Sequence, residues 1–157
     1  WTQDPTIGGG RIKGEACHFI DLIRFLVGKP IVNWSSNLLG DNVTKDTVTL
    51  SFLFEDGSIG TIHYFANGSK KFQKERIEVF CNNGILQLNN FKKLTGYGWP
   101  GFSKINLWQQ DKGHFNEIQS FIKSIENNSN SPIPYDEIME ISRTIIEIAD
   151  ALQYNKY

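Results

Sequence analysis

The stretch from Gly8 to Gly28 places the strongest constraint on the fold of this chain. Its sequence, GGGRIKGEACHFIDLIRFLVG, begins with three consecutive glycines and ends with a single glycine. Between them the apolar residues recur with the 3.6-residue period of an α-helix. We therefore predict a helix from about Arg11 to Val27, with Gly28 as its C-cap and Pro30 as a stop.

A helical wheel divides this predicted helix into two faces. The face that we expect to be buried holds the apolar side chains Ile12, Ala16, Phe19, Ile20, Ile23 and Val27. The opposite face holds Gly14, His18, Asp21 and Phe25. His18 lies one helical turn from Gly14 and one turn from Asp21, so these positions are neighbours. An ionisable pair beside a residue without a side chain is typical of one wall of a pocket.

After the helix the period of the apolar residues changes from 3.6 to 2. The segment 47–54 alternates well, and the turn sequences Asp56-Gly57 and Asn82-Asn83-Gly84 predict β-hairpins. Two amphipathic segments, at about 117–125 and 135–153, predict further helices. We therefore expect a single α+β domain over residues 1–157, a two-layer sandwich of a largely antiparallel open sheet with helices on one face.

Such a fold leaves one face of the sheet uncovered by the chain itself. The residues that we assign to this open face are Thr47, Thr49, Ser51 and Leu53, with Ile62 and Tyr64 as candidates level with them. Sheet faces of this size that expose aromatic side chains are often subunit interfaces. The sequence therefore favours a homo-oligomer that associates through the open sheet face.

Composition excludes several classes of partner and compartment. The net charge is −1 with both signs interspersed, so no basic surface for nucleic acid or anionic membrane is expected. No apolar run approaches the roughly 20 residues that span a bilayer. Two cysteines and no secretory signal predict a cytoplasmic protein. The chain opens on Trp1 and its only methionine is Met139, so we expect a piece of a longer polypeptide.

The glycine-rich helix resembles a motif in the C-terminal domain of one family of NAD(P)-dependent sugar oxidoreductases. This is the glucose-fructose oxidoreductase / inositol dehydrogenase / MocA family. The family pattern is three glycines, three residues, Asp, one residue, Gly, one residue, His, two residues and Asp. The residues that match are Gly8, Gly9, Gly10, His18 and Asp21. Gly14 stands in place of the family's first Asp, and Ala16 in place of its Gly. The amino-acid sequence of this stretch is also similar to that of a subgroup in which this module follows a zinc-type alcohol dehydrogenase module.

The resemblance covers nearly the whole chain and implies a dihydrodipicolinate reductase-like C-terminal domain. Its implied role is to bind a sugar or nucleotide sugar and to form oligomers. NAD or NADP would be bound mainly by an N-terminal Rossmann domain that this chain lacks, so the isolated domain is expected to be inactive. Two alternatives stay open: a non-catalytic assembly scaffold, and a carbohydrate-binding module that uses Tyr97 and Trp99.

His18 is the candidate general base for such a reaction. Oxidation of a sugar hydroxyl requires a group that takes the hydroxyl proton, and histidine suits this task near neutral pH. Asp21 is a candidate to orient the ring. On the residues alone, a structural polar pair is the commoner explanation for such histidines. The resemblance favours the catalytic role, because His18 matches the family's catalytic or substrate-binding histidine.

The residues before His18 are candidates for substrate binding. Gly9 and Gly10 would allow a close approach to the backbone. Arg11 and Lys13 would meet an anionic substrate, although both are equally well explained as solvated residues of the first helical turn. The resemblance implies that an Asp at position 14 acts together with the histidine, so Gly14 leaves the activity and the substrate in doubt.

Two other motifs are rejected. The spacing Gly8-x-Gly10-x-x-x-Gly14 lacks the preceding hydrophobic strand of a dinucleotide-binding fingerprint, and the segment 31–39 leads into a hairpin instead of a second parallel strand. The Glu15-x-x-His18 spacing of helical di-metal sites lacks its matching partners. We therefore expect neither a cofactor site nor a metal site made by this chain alone.

Overall fold

The computed structural model describes residues 7–40 and 44–154. These residues contain a π-helical turn (Ile12–Ala16), three α-helices and seven strands. In chain order the elements are α1 (Cys17–Val27), β1 (Ile31–Leu38), β2 (Thr47–Phe54), β3 (Ile59–Phe65), β4 (Arg76–Cys81), β5 (Gly84–Asn89), β6 (Lys93–Tyr97), β7 (Lys104–Asn106), α2 (His114–Glu126) and α3 (Tyr135–Tyr154). The predicted α+β class is confirmed. The chain forms two compact units, one of residues 1–67 with 133–157 and one of residues 68–132.

The first unit is a three-stranded antiparallel sheet with α1 and α3 on one face. The strands lie in the order β1-β2-β3. Alternate residues of β2 are buried, as the period of 2 predicts, and they meet the buried side chains of both helices. This core consists of Val48, Leu50, Phe52, Phe54 and Ile62 from the sheet, and Ile12, Ala16, Ile20, Ile141, Ile148, Ala149 and Leu152 from the helical segments.

The predicted buried face of the first helix is confirmed. Ile12, Ala16 and Ile20 belong to the core, and the three other apolar residues of that face pack against it. Gly28 ends the helix in the left-handed conformation, with its N–H bonded to the carbonyl of Arg24. The C-cap was therefore also predicted correctly.

The assignment of Ile62 and Tyr64 to the open face of the sheet was wrong. The observed register pairs Ile62 with Leu50 and Tyr64 with Val48. Residues directly opposite each other in an antiparallel pair share a face, so both side chains point towards the helices. The open face instead carries the alternate residues of β3, which are Ile59, Thr61, His63 and Phe65.

A buried ion pair joins the two helices of this unit to the sheet. The side chain of Arg24 is 7% exposed, and its Nε lies 3.1 Å from Oε1 and 3.2 Å from Oε2 of Glu140 in α3. The same Oε1 accepts the N–H of Ile31 at 2.7 Å. Glu137 approaches the guanidinium at 3.8 Å. No local pattern predicted a buried arginine in α1.

The second unit is a four-stranded antiparallel sheet in the order β4-β5-β6-β7, followed by α2. Asn82 and Asn83, which join β4 to β5, both have positive φ (47° and 63°), as the predicted type I′ turn requires. Strand β6 was not predicted, because its sequence KLTGY resembles a loop. Its Gly96 lets the chain approach closely, since a Cβ there would lie 2.8 Å from Cδ1 of Phe102.

Helix α2 differs from the expectation that the helices cover a sheet. None of its residues is buried. Its five large apolar side chains, which are Phe115, Ile118, Phe121, Ile122 and Ile125, are 47–74% exposed. The helix is amphipathic as predicted, but its apolar side remains exposed. Among the described helices, none is both long enough and apolar enough to cross a membrane.

Candidate functional site

The loop that leads into the first helix requires glycine at two positions. Gly9 and Gly10 have φ angles of 73° and 82°, in the left-handed region that side chains disfavour. A Cβ on Gly9 would lie 3.0 Å from Cδ of Lys13, whereas a Cβ on Gly10 would have no described atom within 4 Å. As far as the described residues are concerned, the backbone at Gly10 is therefore open to an approaching group.

The π-helical turn Ile12–Ala16 was not predicted from the sequence. In it the N–H of Cys17 donates to the carbonyl of Ile12, five residues earlier. Such turns are rare and often occur at functional sites. The one sequence feature that accompanies it is Gly14, a weak helix former within the turn.

His18 is the second residue of α1, just beyond this turn, and is exposed to solvent. Asp21, one turn further along α1, is exposed as well. In the part of the chain that the structure describes, neither side chain has a hydrogen bond or an ion pair, and no such bond joins the two. The expected orienting contact from Asp21 is thus not formed here, and His18 is available to an incoming group.

Arg11 and Lys13 both have carboxylate partners. Arg11 Nη1 lies 3.4 Å from Oδ2 of Asp46, which is buried just before β2, and Lys13 Nζ lies 3.3 Å from Oδ1 of Asp150 in α3. Neither residue is a merely solvated cation. Arg11 Nε is buried and, among the residues described, has no hydrogen-bond partner. A buried donor without a partner is unusual.

Glu15 and Tyr64 form a hydrogen bond that sequence reasoning missed. The hydroxyl of Tyr64 donates to Oε2 of Glu15 at 2.7 Å. Burial, followed by the adjacent Glu15 carboxylate, raises the pKa of Tyr64, so its hydroxyl stays protonated and acts as a donor. No local signal identified this contact, because the face of β3 that carries Tyr64 is set by its register with β2.

Cys17, which lies between Glu15 and His18 in the sequence, is not an activated nucleophile. Burial raises the pKa of its thiol, with smaller contributions from Asp21 and Glu15 in the same direction. Among the described residues there is no group of three or more His, Cys, Asp or Glu side chains placed to hold a metal ion.

The aromatic loop of the second unit offers little to a carbohydrate. Trp99 is partly buried, and its ring fills the space beside Gly84, where a Cβ would lie 2.9 Å from Cε3 of the indole. Tyr97 at the end of β6 is half-exposed. One aromatic side chain of the predicted pair is therefore used in packing, and it needs Gly84 in order to fit.

Comparison with known proteins places this geometry in context. A family model described as the GFO/IDH/MocA C-terminal domain matches residues 1–87. No curated protein matches the chain.

Three solved structures show the same fold. Aldose-aldose oxidoreductase from Caulobacter crescentus, complexed with glycerol, has a TM-score of 0.74 at 16% identity over 99% of this chain. A dehydrogenase (MviM) from Clostridium difficile has a TM-score of 0.71 at 20% identity over 90% of this chain. UDP-N-acetylglucosamine 3-dehydrogenase GnnA from Acidithiobacillus ferrooxidans has a TM-score of 0.67 at 15% identity over 86%. The chain spans only 49%, 48% and 45% of these proteins, respectively.

Proposed function

The chain belongs to the GFO/IDH/MocA C-terminal domain family, and we propose that it is the substrate-binding domain of an NAD(P)-dependent oxidoreductase acting on a sugar or nucleotide sugar. The family is one of oxidoreductases, and two of the similar structures are named for aldose and UDP-N-acetylglucosamine chemistry. The observation that carries the proposal is the exposed His18, unpaired among the described residues, which follows a glycine loop with an open backbone.

In the proposed reaction His18 removes the proton from a sugar hydroxyl. The carbon that bears this hydroxyl loses a hydride at the same time, so the alcohol becomes a carbonyl. NAD(P)⁺, when bound, supplies the acceptor for the hydride. His18 holds the released proton as an imidazolium and passes it to solvent, to which the ring has free access. Asp21, one turn away, stabilises this charge through space.

The cofactor is assigned to an N-terminal Rossmann domain of the same polypeptide. Within this chain Gly9 and Gly10 contribute an open stretch of backbone, where the absence of a Cβ at Gly10 leaves room for the reacting groups. The assignment of the cofactor to a separate domain is supported by the length of the similar proteins, which are about twice as long as the chain. On its own the chain would lack turnover.

Arg11 and Lys13 are proposed to bind the anionic part of the substrate. Arginine and lysine side chains form charge-assisted hydrogen bonds to phosphate or carboxylate oxygens, and the carboxylate partners of both residues hold them in place. A nucleotide sugar or a uronate fits this description better than a neutral sugar does. Gly14 removes one carboxylate from the family pattern, which reduces the repulsion that such an anion would meet.

The exposed apolar surfaces support two partners. On the open face of the first sheet Ile59 is 74% and Phe65 56% exposed, and we propose that a second copy of the chain covers them. The apolar side of α2 is proposed to pack against the N-terminal domain. Surfaces of this kind rarely remain in contact with water.

The free thiols Cys17 and Cys81 support a reducing compartment such as the cytoplasm.

Kinetics of the complete polypeptide tests the proposal. His18→Ala should lower turnover by about 10²–10⁴-fold, as expected for loss of a general base. His114→Ala, a substitution of the same type in the second unit, serves as the matched control and should leave turnover unchanged. Equal turnover of the wild type and the His18 variant would instead favour the assembly scaffold, the alternative that Gly14 supports.

A binding experiment separates the remaining alternative. If the chain were a carbohydrate-binding module that uses Tyr97 and Trp99, it would bind simple sugars with micromolar affinity without any cofactor domain. We expect no such binding, because Trp99 is used in packing against Gly84.

A further inference from the structure

The π-helical turn Ile12–Ala16 lies between the two parts of the proposed site. Gly9 and Gly10 precede it, and His18 comes after it. Each residue of an α-helix rotates the chain by about 100°. A turn that closes over five residues instead of four therefore changes the direction of the glycine loop relative to that of α1. The state of this turn thus sets how His18 is aimed relative to the open backbone at Gly10.

Three side chains at this turn are each bound to a different part of the first unit. Arg11 pairs with Asp46 before β2, and Lys13 pairs with Asp150 in α3. Glu15 accepts the hydroxyl of Tyr64 in β3. The first two contacts are ion pairs of 3.3–3.4 Å, one with the buried Asp46 and one with the half-exposed Asp150. The third is shorter, at 2.7 Å, and is partly buried.

Tyr64 is suited to this contact because its ring and its hydroxyl have separate roles. The ring packs against the apolar core of the unit. The hydroxyl is the polar end that reaches Glu15 within the turn. A hydrogen bond to a charged acceptor is stronger than one between neutral groups. Since a π-helical turn is rarely stable by itself, such a bond is a reasonable source of its stability.

We propose that Tyr64 is a positioning residue, whose hydrogen bond to Glu15 holds the π-helical turn and thereby fixes the direction of His18 relative to Gly9 and Gly10. The meaning of this direction for catalysis rests on the proposed function. The existence of the turn and its dependence on Tyr64 do not rest on the proposed function, since both are properties of the chain without substrate or cofactor.

Nuclear magnetic resonance of this chain tests the proposal. Scalar couplings across hydrogen bonds identify the carbonyl that accepts the N–H of Cys17. In the wild type we expect Ile12, five residues earlier. In Tyr64→Phe, which keeps the ring, we expect the acceptor to become Lys13, four residues earlier. The resonances of Gly14 and His18 should shift. The Cys17 amide should exchange with solvent about 5-fold faster, because the turn loses the hydrogen bond between Tyr64 and Glu15.

Variants of Glu15 provide the second test. Glu15→Gln retains an acceptor and should preserve the Cys17–Ile12 coupling, whereas Glu15→Ala should reproduce the effect of Tyr64→Phe. Glu15→Ala also decides the matter if Tyr64→Phe does not fold. Thr49→Val, which removes a hydroxyl bonded to His63 on the open sheet face, is the matched control and should leave the coupling in place.

The proposal is overturned if Tyr64→Phe and Glu15→Ala lower the melting temperature but leave the coupling and the His18 resonances unchanged. In that case Tyr64 stabilises the unit without positioning the site. It is equally overturned if the wild-type Cys17 amide is bonded to Lys13. Because these signals are read without turnover, a failure of the proposed oxidoreductase activity would leave them unaffected, so the two failures are distinguishable.

Discussion

Removal of the Glu140 carboxylate is expected to destabilise the first unit strongly. Glu140→Ala deletes both contacts to Nε of Arg24 and the acceptor of the Ile31 N–H. The guanidinium would stay buried, with Glu137 at 3.8 Å as its remaining carboxylate. Breaking a buried ion pair costs about 3–5 kcal/mol, and Glu137 places the loss at the lower end. The unpaired Ile31 N–H adds about 1 kcal/mol. We therefore expect a loss of about 4 kcal/mol.

Urea denaturation followed by circular dichroism measures this loss. A protein of this size has a free energy of unfolding of about 5–15 kcal/mol, so the midpoint should fall well below that of the wild type. Arg143→Ala, an exposed substitution on the same helix, is the matched control and should change stability by less than about 0.5 kcal/mol.

A double variant separates the ion pair from the helix packing around it. Replacing both charged residues, as Arg24→Met with Glu140→Leu, leaves no buried charge at this position, and only the Ile31 N–H remains unpaired. We expect a loss of about 1 kcal/mol, much smaller than that of the single variant. If Glu140→Ala costs less than about 1 kcal/mol, or if the double variant costs as much as the single one, the pair does not join the elements as described.

Two further predictions concern pH and assembly. The raised pKa of Tyr64 means that the unfolded chain releases this proton at lower pH than the folded chain does, so the free energy of unfolding should fall as pH rises above about 10. Denaturation at pH 8 and at pH 11 should show a smaller fall in this free energy for Tyr64→Phe than for the wild type. An equal fall in the two proteins would contradict the burial of the Tyr64 hydroxyl. Ile59→Lys on the open sheet face should shift the protein to smaller species in analytical ultracentrifugation, whereas Lys93→Glu in the second unit should not. Equal sedimentation of wild type and Ile59→Lys would exclude that face as the interface.

Features set by local sequence were predicted well. The buried face of the first helix follows from its period, its end follows from Gly28, and the hairpin of Asn82 and Asn83 follows from residues that tolerate positive φ. In each case the physical cause lies within a few residues of its effect.

Features that depend on distant partners could not be predicted in this way. Arg24 is polar in sequence but buried in the fold, because Glu140, 116 positions away, neutralises it. Tyr64 was assigned to the wrong face, because the faces of β3 depend on how the hairpin loop sets the register to β2. The residues at the π-helical turn make contacts to three other segments, which a helical wheel of constant period cannot reveal.

The exposure of His18 was predicted more successfully than the contacts of the residues around it. The sequence placed His18 on the outer face of the helix, and the structure leaves it exposed there. It did not reveal that Arg11 and Lys13 already have carboxylate partners, or that Asp21 makes no bond to His18. These contacts depend on side chains that approach from other elements.

Chemical rescue tests the role of His18 most directly. The complete polypeptide with His18→Ala is assayed for NAD(P)-dependent oxidation of a nucleotide sugar in the presence of increasing free imidazole. We expect imidazole to restore turnover in proportion to its concentration, because it replaces the missing proton acceptor in a site open to solvent, while the wild type and His114→Ala do not respond. Undiminished turnover of His18→Ala before any imidazole is added would contradict the account.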